Sequence, residues 1–321
     1  MKKLSFSLLA LSCAIGIYAG CKDDETNPPP SGGACAPAAG CPAVPSDCVA
    51  LVDNSGKDKF VLRLSQLSLT APEALKTDLI YGIISDAVYA NLPADCVVQG
   101  LGSFSLITEF DKAAGTLRVG GAFPEADPTA GYCFVEDTAN EIAPITIPFM
   151  LSADGVFETD PIPSVKVPVF TDATATKVVY LPLHDTVLRN AKLSADQNCI
   201  GRFAHERLDP AIGCVDDPPA LEYFENGGTL EGYISLEEAD LVDVELAGVS
   251  LCVLLSANPT EFGDMQMPIK RCVRDAGAIR FKGDWCSTTN TAGGCQDAVR
   301  LTADFAGSAA TLKTSGCPAG T

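Results

Sequence analysis

Residues 59–70 run Lys59-Phe60-Val61-Leu62-Arg63-Leu64-Ser65-Gln66-Leu67-Ser68-Leu69-Thr70. Apolar side chains fall on alternate positions at Phe60, Leu62 and Leu64, then again at Leu67 and Leu69, one residue out of step. A period of two is the signature of a half-buried strand, and a single slip in it is the signature of a bulge. The pattern recurs downstream. Residues 103–122 read as a hairpin turning through Asp111-Lys112-Ala113-Ala114-Gly115. Residues 142–151 and 156–170 read as strands on either side of an Asp154-Gly155 turn. Prolines 144, 148, 161, 163 and 168 remove ladder donors there and predict edge or bulged strands. Residues 177–183 and 187–193 continue the series, and short strands follow around 279–281 and 298–301.

Two segments have helical spacing instead. In residues 72–92, Leu75, Leu79 and Ile83 recur on one face, as do Ile80, Ile84 and Val88. Thr70 with Glu73 predicts its capping box. The second segment starts at Ser235, with Glu238 completing a capping box, and carries the stripe Leu241, Val244, Gly248, Leu251 and Leu255 to about Ser256. The fold class expected is mainly β, β-sandwich-like and disulfide-stapled, with one or two packed helices. Residues 48–195 form the β-rich domain, and 196–321 a smaller Cys-rich α+β unit, separate from or continuous with it.

The chain has 321 residues, 47% of them hydrophobic, enough to bury a core. It carries 22 Lys+Arg against 41 Asp+Glu, a formal charge of −19. Such a balance repels phosphate backbones and excludes nucleic acid as a natural partner.

Met1-Lys2-Lys3 is basic, residues 4–20 are uncharged and mostly apolar, and Tyr18-Ala19-Gly20-Cys21 ends the run in small residues before a cysteine. Basic start, apolar run and small residues at the cut describe a secretory signal peptide over 1–20. The cysteine after the cut makes it resemble a bacterial lipoprotein signal, although Tyr18 stands where that family usually has Leu. The resemblance implies lipidation at Cys21 and attachment to a membrane through the N-terminal lipid. Lys22, rather than Asp, follows the cysteine, which implies the outer membrane. Lys22-Asp23-Asp24-Glu25 also resembles a surface-export signal, so the cell surface is expected, with a periplasm-facing location as the alternative. Residues 21–47, rich in Pro, Gly and Ala, read as a tether with a reach of about 25 Å if flexible.

Of fourteen cysteines, Cys13 lies in the leader and Cys21 at its end. The other twelve are Cys35, Cys41, Cys48, Cys96, Cys133, Cys199, Cys214, Cys252, Cys272, Cys286, Cys295 and Cys317. An even number in an exported chain reads as disulfides. Proximity pairs Cys199 with Cys214, Cys252 with Cys272 and Cys286 with Cys295. No two lie at Cys-x-x-Cys spacing, so a structural zinc is not indicated.

No Gly-x-Ser-x-Gly, phosphate loop, Gly-x-Gly-x-x-Gly or His-Glu-x-x-His occurs. The two histidines are His184, followed by Asp185 at an expected strand end, and His205, beside Glu206 and Asp209 in a loop. His205 is the catalytic candidate, since histidine is the usual general base. Asp216, Asp217 and Glu222 are close in sequence and are the candidate ligands for a loop calcium. Trp285, the one tryptophan, either packs in the core beside a disulfide or stands out as an aromatic binding anchor.

Several body segments resemble those of uncharacterised myxobacterial-type cell-surface lipoproteins: Asn198-Cys199-Ile200-Gly201, residues 232–240, Ser250-Leu251-Cys252-Val253-Leu254-Leu255 and Gly283-Asp284-Trp285-Cys286-Ser287. That family implies no activity and no site residue. The functional expectation is a lipid-anchored binding or structural module whose partner is a surface protein or a polysaccharide. The alternatives are an exported hydrolase of envelope or extracellular polymers and a calcium-dependent adhesin.

Overall fold

The chain divides into two units, Met1–Gly33 and Ala34–Thr321. The computed structural model describes residues 48–92, 96, 98–170, 175, 177–204, 208–209, 215–216, 223–245, 247–256, 269–288 and 295–318, all in the second unit. The expectations placed on the leader, Cys21, the tether, Cys35, Cys41, His205, Cys214, Asp217 and Glu222 lie outside the described residues.

Strand β1 (Lys59–Ala71) carries its slip where the alternation breaks. Its register against the C-terminal strand jumps between Leu64 and Gln66, which leaves Ser65 as the bulged residue. Alternation alone predicts one wet face, yet every side chain from Phe60 to Gln66 is buried. Phe60, Leu62 and Leu64 enter the main core, while helix α1 (Asp78–Val88) packs against the strand from outside. Arg63 is consequently buried at 4% exposure. Its guanidinium donates to Ser105 Oγ (3.2 Å) and to the carbonyl of Val88 (2.5 Å), and it lies 5.4 Å from the Tyr132 ring centroid. Val88 ends α1, so the cation answers a carbonyl that no helical N–H can reach and sits at the negative end of the helix dipole. Helix α1 starts later than its periodicity predicts. Thr77 caps it, its hydroxyl accepting from Ile80 N at 3.3 Å, while Thr70 stays in β1 and bonds Thr302.

The expected hairpin is present as β2 (Ser105–Asp111) and β3 (Thr116–Ala122). Strands β4 (Ile145–Leu151), β5 (Val156–Thr159), β6 (Ile162–Phe170), β7 (Val178–Arg189) and β8 (Ala191–Lys192) follow. Short strands come next: β9 (Cys199–Ile200), β10 (Arg202–Phe203), β11 (Leu208–Asp209), β12 (Val215–Asp216) and β13 (Phe224–Glu225). Long strand β14 (Gly228–Ser235) and the last strand enclose the α-containing segment: α2 (Leu236–Ala239), β15 (Asp243–Val244), β16 (Val249–Ser250), α3 (Leu251–Ser256), β17 (Arg274–Asp275) and β18 (Ala278–Ile279). Strand β19 (Ala298–Ala309) ends the series.

The main sheet runs β6-β7-β14-β19-β1-β2-β3-β4-β5-β8, all antiparallel, with β9 also on β19. Its two ends meet. Only Asn190 separates β7 from β8, and β8 pairs β5 at Val156↔Lys192 and Phe157↔Ala191. The register of β6 on β7, from Ile162↔Thr186 to Phe170↔Val178, continues the same alignment. Thus β5–β6 and β7–β8 form one long antiparallel ribbon. One half joins the sheet through β4 and the other through β14, so the sheet curls into a barrel. Side chains fill its interior, as expected for about eight strands around one axis. Phe110 packs edge-on to Phe149 and Phe157 and stacks on Phe60 at 4.8 Å. Phe305, Leu188 and Ile147 enter from the facing wall and sides. The mainly β, disulfide-stapled class with packed helices is therefore what the chain adopts. Its opposed walls are parts of one curled sheet.

The prolines behave as expected of ladder breakers. Pro163 and Pro168 lie in β6, whose paired partner is β7, and Pro148 lies where β4 passes from pairing β3 to pairing β5.

Two elements differ from their expected extent. The second helix is not continuous over 235–256. It breaks after Ala239 because the Asp240 carboxylate turns inward, 4% exposed, and accepts from Ser250 Oγ (2.8 Å), Cys272 N (2.7 Å) and Arg274 (3.2 Å). Those donors come from residues that a straight helix would carry away. Gly248 takes φ +67° in the intervening turn, and Leu241, assigned to the apolar stripe, is 77% exposed. The short strand expected at 298–301 is the twelve-residue β19, flanked by β1 and β14. Its Ala303, Ala306, Gly307 and Ala309 supply little hydrophobic signal, although they lie in the middle of the sheet.

Four disulfides are described. Cys252–Cys272 and Cys286–Cys295 pair as proximity suggests. Cys199 does not pair with Cys214. It bonds Cys48, 151 residues away, because β9 lies on β19 and Leu51 N donates to Ala309 O at 2.8 Å, which brings both cysteines to the same strand end. Cys133–Cys317 joins residues 184 apart, and Cys96 is disulfide-bonded too.

Beside Cys48–Cys199, Asn198 Nδ2 donates to Asp196 (2.9 Å) and Asp53 (3.2 Å), while its Oδ1 accepts from Asn54 N (2.7 Å). The hydroxyl and N–H of Ser55, then Asn198, hold the Asp53 carboxyl down to about 2. A carboxyl held below its ordinary value of about 3.9 contributes stability above that value and loses it as pH falls through the folded value. The contribution of Asp53 to stability should therefore be complete above about pH 5 and be lost between about pH 4 and 2. Asn198→Ala should cost about 1–3 kcal/mol at pH 7, with the gap to wild type narrowing in acid. Thermal denaturation across pH measures both. Replacing Cys48 and Cys199 together by serine should cost about 2–4 kcal/mol in a denaturant titration.

Candidate functional site

The outer face of β7–β14–β19 gathers the side chains with the most chemistry. In β14, Leu230 points to the main core and Ile234 to the cluster under the barrel's end, so Thr229, Glu231, Tyr233 and Ser235 point outward. Register then lays them beside their neighbours: Arg189–Thr229–Asp304, Val187–Glu231–Thr302 and His184–Tyr233–Arg300. Strand β7 needs a bulge to do this, because its pairing steps from Val187 to His184 while β14 steps from Glu231 to Tyr233. Asp185 takes φ +46° at that bulge. Gly232 lies opposite, where a Cβ would come within 3.2 Å of both Thr186 Oγ1 and the His184 carbonyl.

Glu231 is the centre of the face. Its Oε2 is 3.3 Å from Arg189 Nε and 3.2 Å from an Arg300 Nη. The arginines are about two-fifths exposed, and Glu231 is 27% exposed. One carboxylate oxygen thus accepts a single bond from each of two guanidiniums and draws both toward the same point. Thr229 Oγ1 donates to Asp304 Oδ1 at 3.0 Å, and Thr302 Oγ1 lies 2.8 Å from Thr70 Oγ1.

Trp285 completes the row. Residues 283–285 lie along the start of β19 as a short added strand, with Trp285 and Ala298 exchanging backbone bonds of 3.0 and 3.1 Å. Only glycine fits at 283, since a Cβ there would stand 1.8 Å from the Ala298 carbonyl oxygen. Asp284 Oδ1 accepts from Arg300 N at 2.9 Å. The Arg300 guanidinium lies 5.5 Å from the Trp285 ring centroid, and 43% of Trp285 is exposed. Trp285 lies beside a disulfide, at Cys286–Cys295, and faces solvent, so it does not pack in the core as the first of the two sequence readings expects.

Below this row, Tyr233 is buried and stacks on His184 at 5.3 Å. Its hydroxyl accepts from Thr288 N at 2.9 Å. His184 lies within β7, not at its end. It donates from Nε2 to Glu238 Oε2 at 2.7 Å, and Ser235 Oγ donates to the same oxygen at 2.5 Å. Serine, histidine and a carboxylate are together, but the carboxylate stands between the other two. A nucleophile needs its base on the hydroxyl proton, and here both groups are spent on Glu238. The set is the N-cap of α2: Ser235 Oγ accepts from Glu238 N at 3.2 Å, and the Glu238 carboxylate meets the Ser235 hydroxyl and His184.

His205, the catalytic candidate, is outside the described residues, as are Asp217 and Glu222 of the calcium set. Asp216 lies in β12, paired to Leu208. Among the described residues, two other groups bring three metal-ligating residues close together, Asp240 with Cys252 and Cys272, and Cys286 and Cys295 with Asp297. Their sulfurs are joined as disulfides and carry no thiolate. Asp297 is committed to the N–H and hydroxyl of Ser287, at 2.8 and 2.7 Å. Two cavities within the described body each have about 20 Å³ of room, enough for a single water.

Sequence reasoning singled out Trp285 and missed Arg189, Glu231 and Arg300. The signal it had was alternation in Gly228-Thr229-Leu230-Glu231-Gly232-Tyr233, which marks the outward positions but not their neighbours across strands. Trp285→Ala should change stability by no more than about 0.5 kcal/mol, as a surface substitution. Gly283→Ala, which would push the added strand off β19, should cost about 1–3 kcal/mol. Paired melting curves of the two variants measure the difference.

The chain matches no protein-family model, no curated protein and no solved structure, so the site is read from its own geometry.

Proposed function

We propose that this chain is an exported lipoprotein, anchored to the outer membrane through Cys21, whose β body is a binding module using the face around Glu231 and Trp285. The observation that carries the binding reading is the half-exposed row Arg189–Glu231–Arg300–Trp285 on a rigid sheet. Tryptophan and arginine are the residues most often found as binding anchors, and here each is already held in place by a neighbour. The export reading is supported by the disulfides that tie distant parts of the body, a bond type that persists in oxidising compartments. The resemblance of residues 18–21 to a lipoprotein cleavage site supplies the anchor, and the Pro/Gly/Ala-rich residues after it supply reach. A single acyl chain binds membranes only marginally, so the reading requires more than one on Cys21.

Cells fed a labelled fatty acid should incorporate it into the wild-type protein and not into Cys21→Ala. Mass spectrometry of the wild-type protein should find the acyl groups on the peptide that begins at Cys21. An unlabelled wild type, or label that persists in Cys21→Ala, would overturn the anchor. Protease added to intact cells should release peptides from the body. Protection until the outer membrane is opened would place it on the periplasmic side.

A further inference from the structure

We propose that the outer face of β7–β14–β19 binds an uncharged oligosaccharide, with Trp285 as the platform for one sugar ring. This deepens the binding-module reading and rests on it. A sugar ring presents an apolar C–H face and a rim of hydroxyls that both donate and accept. It is bound by an exposed aromatic ring beside fixed polar groups of both kinds, and this face supplies that combination. Trp285 is 43% exposed, with Arg300 5.5 Å from its ring centroid. Arg189 and Arg300 donate only, Glu231 and Asp304 accept only, and Thr229 and Thr302 do both.

The charges favour a neutral ligand over an ionic one. The arginines share Glu231, while Glu158 lies 4.0 Å from Arg189 and Asp284 is bonded to the Arg300 backbone. A polyanion would meet these acids and a chain of net charge −19. A cationic peptide would meet two exposed guanidiniums. Hydrogen-bonding groups whose charge is already compensated suit hydroxyls.

The shape favours a chain over a single sugar. Arg300, Thr302 and Asp304 project from the same side of β19, and four residues of strand span about 14 Å. The ligand would lie along the strand, on side chains whose orientation is set before it arrives, which lowers the ordering cost of binding.

Because Trp285 is the chain's only tryptophan, its emission reports on this face alone. The test is to titrate the detergent-solubilised full chain with soluble cello-, malto-, manno- and xylo-oligosaccharides while following that emission. Affinity electrophoresis against the corresponding polysaccharides runs in parallel. We expect a saturable emission change with at least one neutral series. Glu231→Gln should weaken it about tenfold or more at an unchanged melting temperature, and Trp285→Ala should abolish retardation in the gel. A sulfated or uronic-acid oligomer should give no response. Silence from all four neutral series overturns the proposal, as does a response unaltered by Glu231→Gln. If Trp285 emission responds to a purified surface protein or to a polyanion but to no neutral sugar, the glycan assignment falls and the binding module stands. If it responds to none of these probes, both fall.

Discussion

The structure depends on one antiparallel ribbon. Residues 156–170 and 178–192 keep a single alignment along their whole length, from Val156↔Lys192 to Phe170↔Val178. Because the two halves of that ribbon join the sheet through different neighbours, β4 and β14, the sheet has to curl until its ends share a pair of strands. Side-chain parity on the ribbon, reset once at Asn190 (φ +50°), then decides what the barrel contains. Phe157, Leu188 and Ala191 enter the core beside Phe110 and Phe305. A shift of one residue would turn those side chains outward and empty the centre.

Curling has a consequence on the outside. Along β7, β14 and β19 it leaves a face that α2 meets only at its His184–Ser235 end, while the neighbouring outer face of β1 is buried beneath α1 and residues 223–226. Gln66 illustrates the difference: it is 1% exposed, and its side-chain amide exchanges bonds of 2.8 and 2.9 Å with the backbone of Phe224, acting as a stand-in for a strand. Arg63 is buried by the same cover, its charge met by the end of α1, whereas Arg189 and Arg300 remain at the surface on Glu231. The contrast between these arginines is set by what lies over each strand, not by residue type.

Local signals in the sequence were legible where local physics governs. The bulge at Ser65, the β2–β3 hairpin and the Asp154-Gly155 turn, where Gly155 has φ +84°, follow from alternation and turn chemistry. Two disulfides closing loops of 9 and 20 residues were legible for the same reason. The helix drawn through 235–256 failed because its apolar spacing was genuine while Asp240 found better partners by bending the chain. Strand β19 was underread because its residues are small: a central strand crowded on both sides can use alanine and glycine where an isolated one would not persist.

The sequence by itself determined that this protein is mainly β, rich in disulfides and acidic, and it left Trp285 open between a core residue and an exposed anchor. These properties are carried by composition and by spacings of two to four residues. Only the tertiary structure decided that Cys48 joins Cys199 and that Trp285 faces solvent. It also decided that Arg189, Glu231 and Arg300 meet, from positions up to 111 residues apart in the numbering. Such meetings depend on strand order and register, which are set by how the whole sheet closes over its core and leave no local mark on the chain.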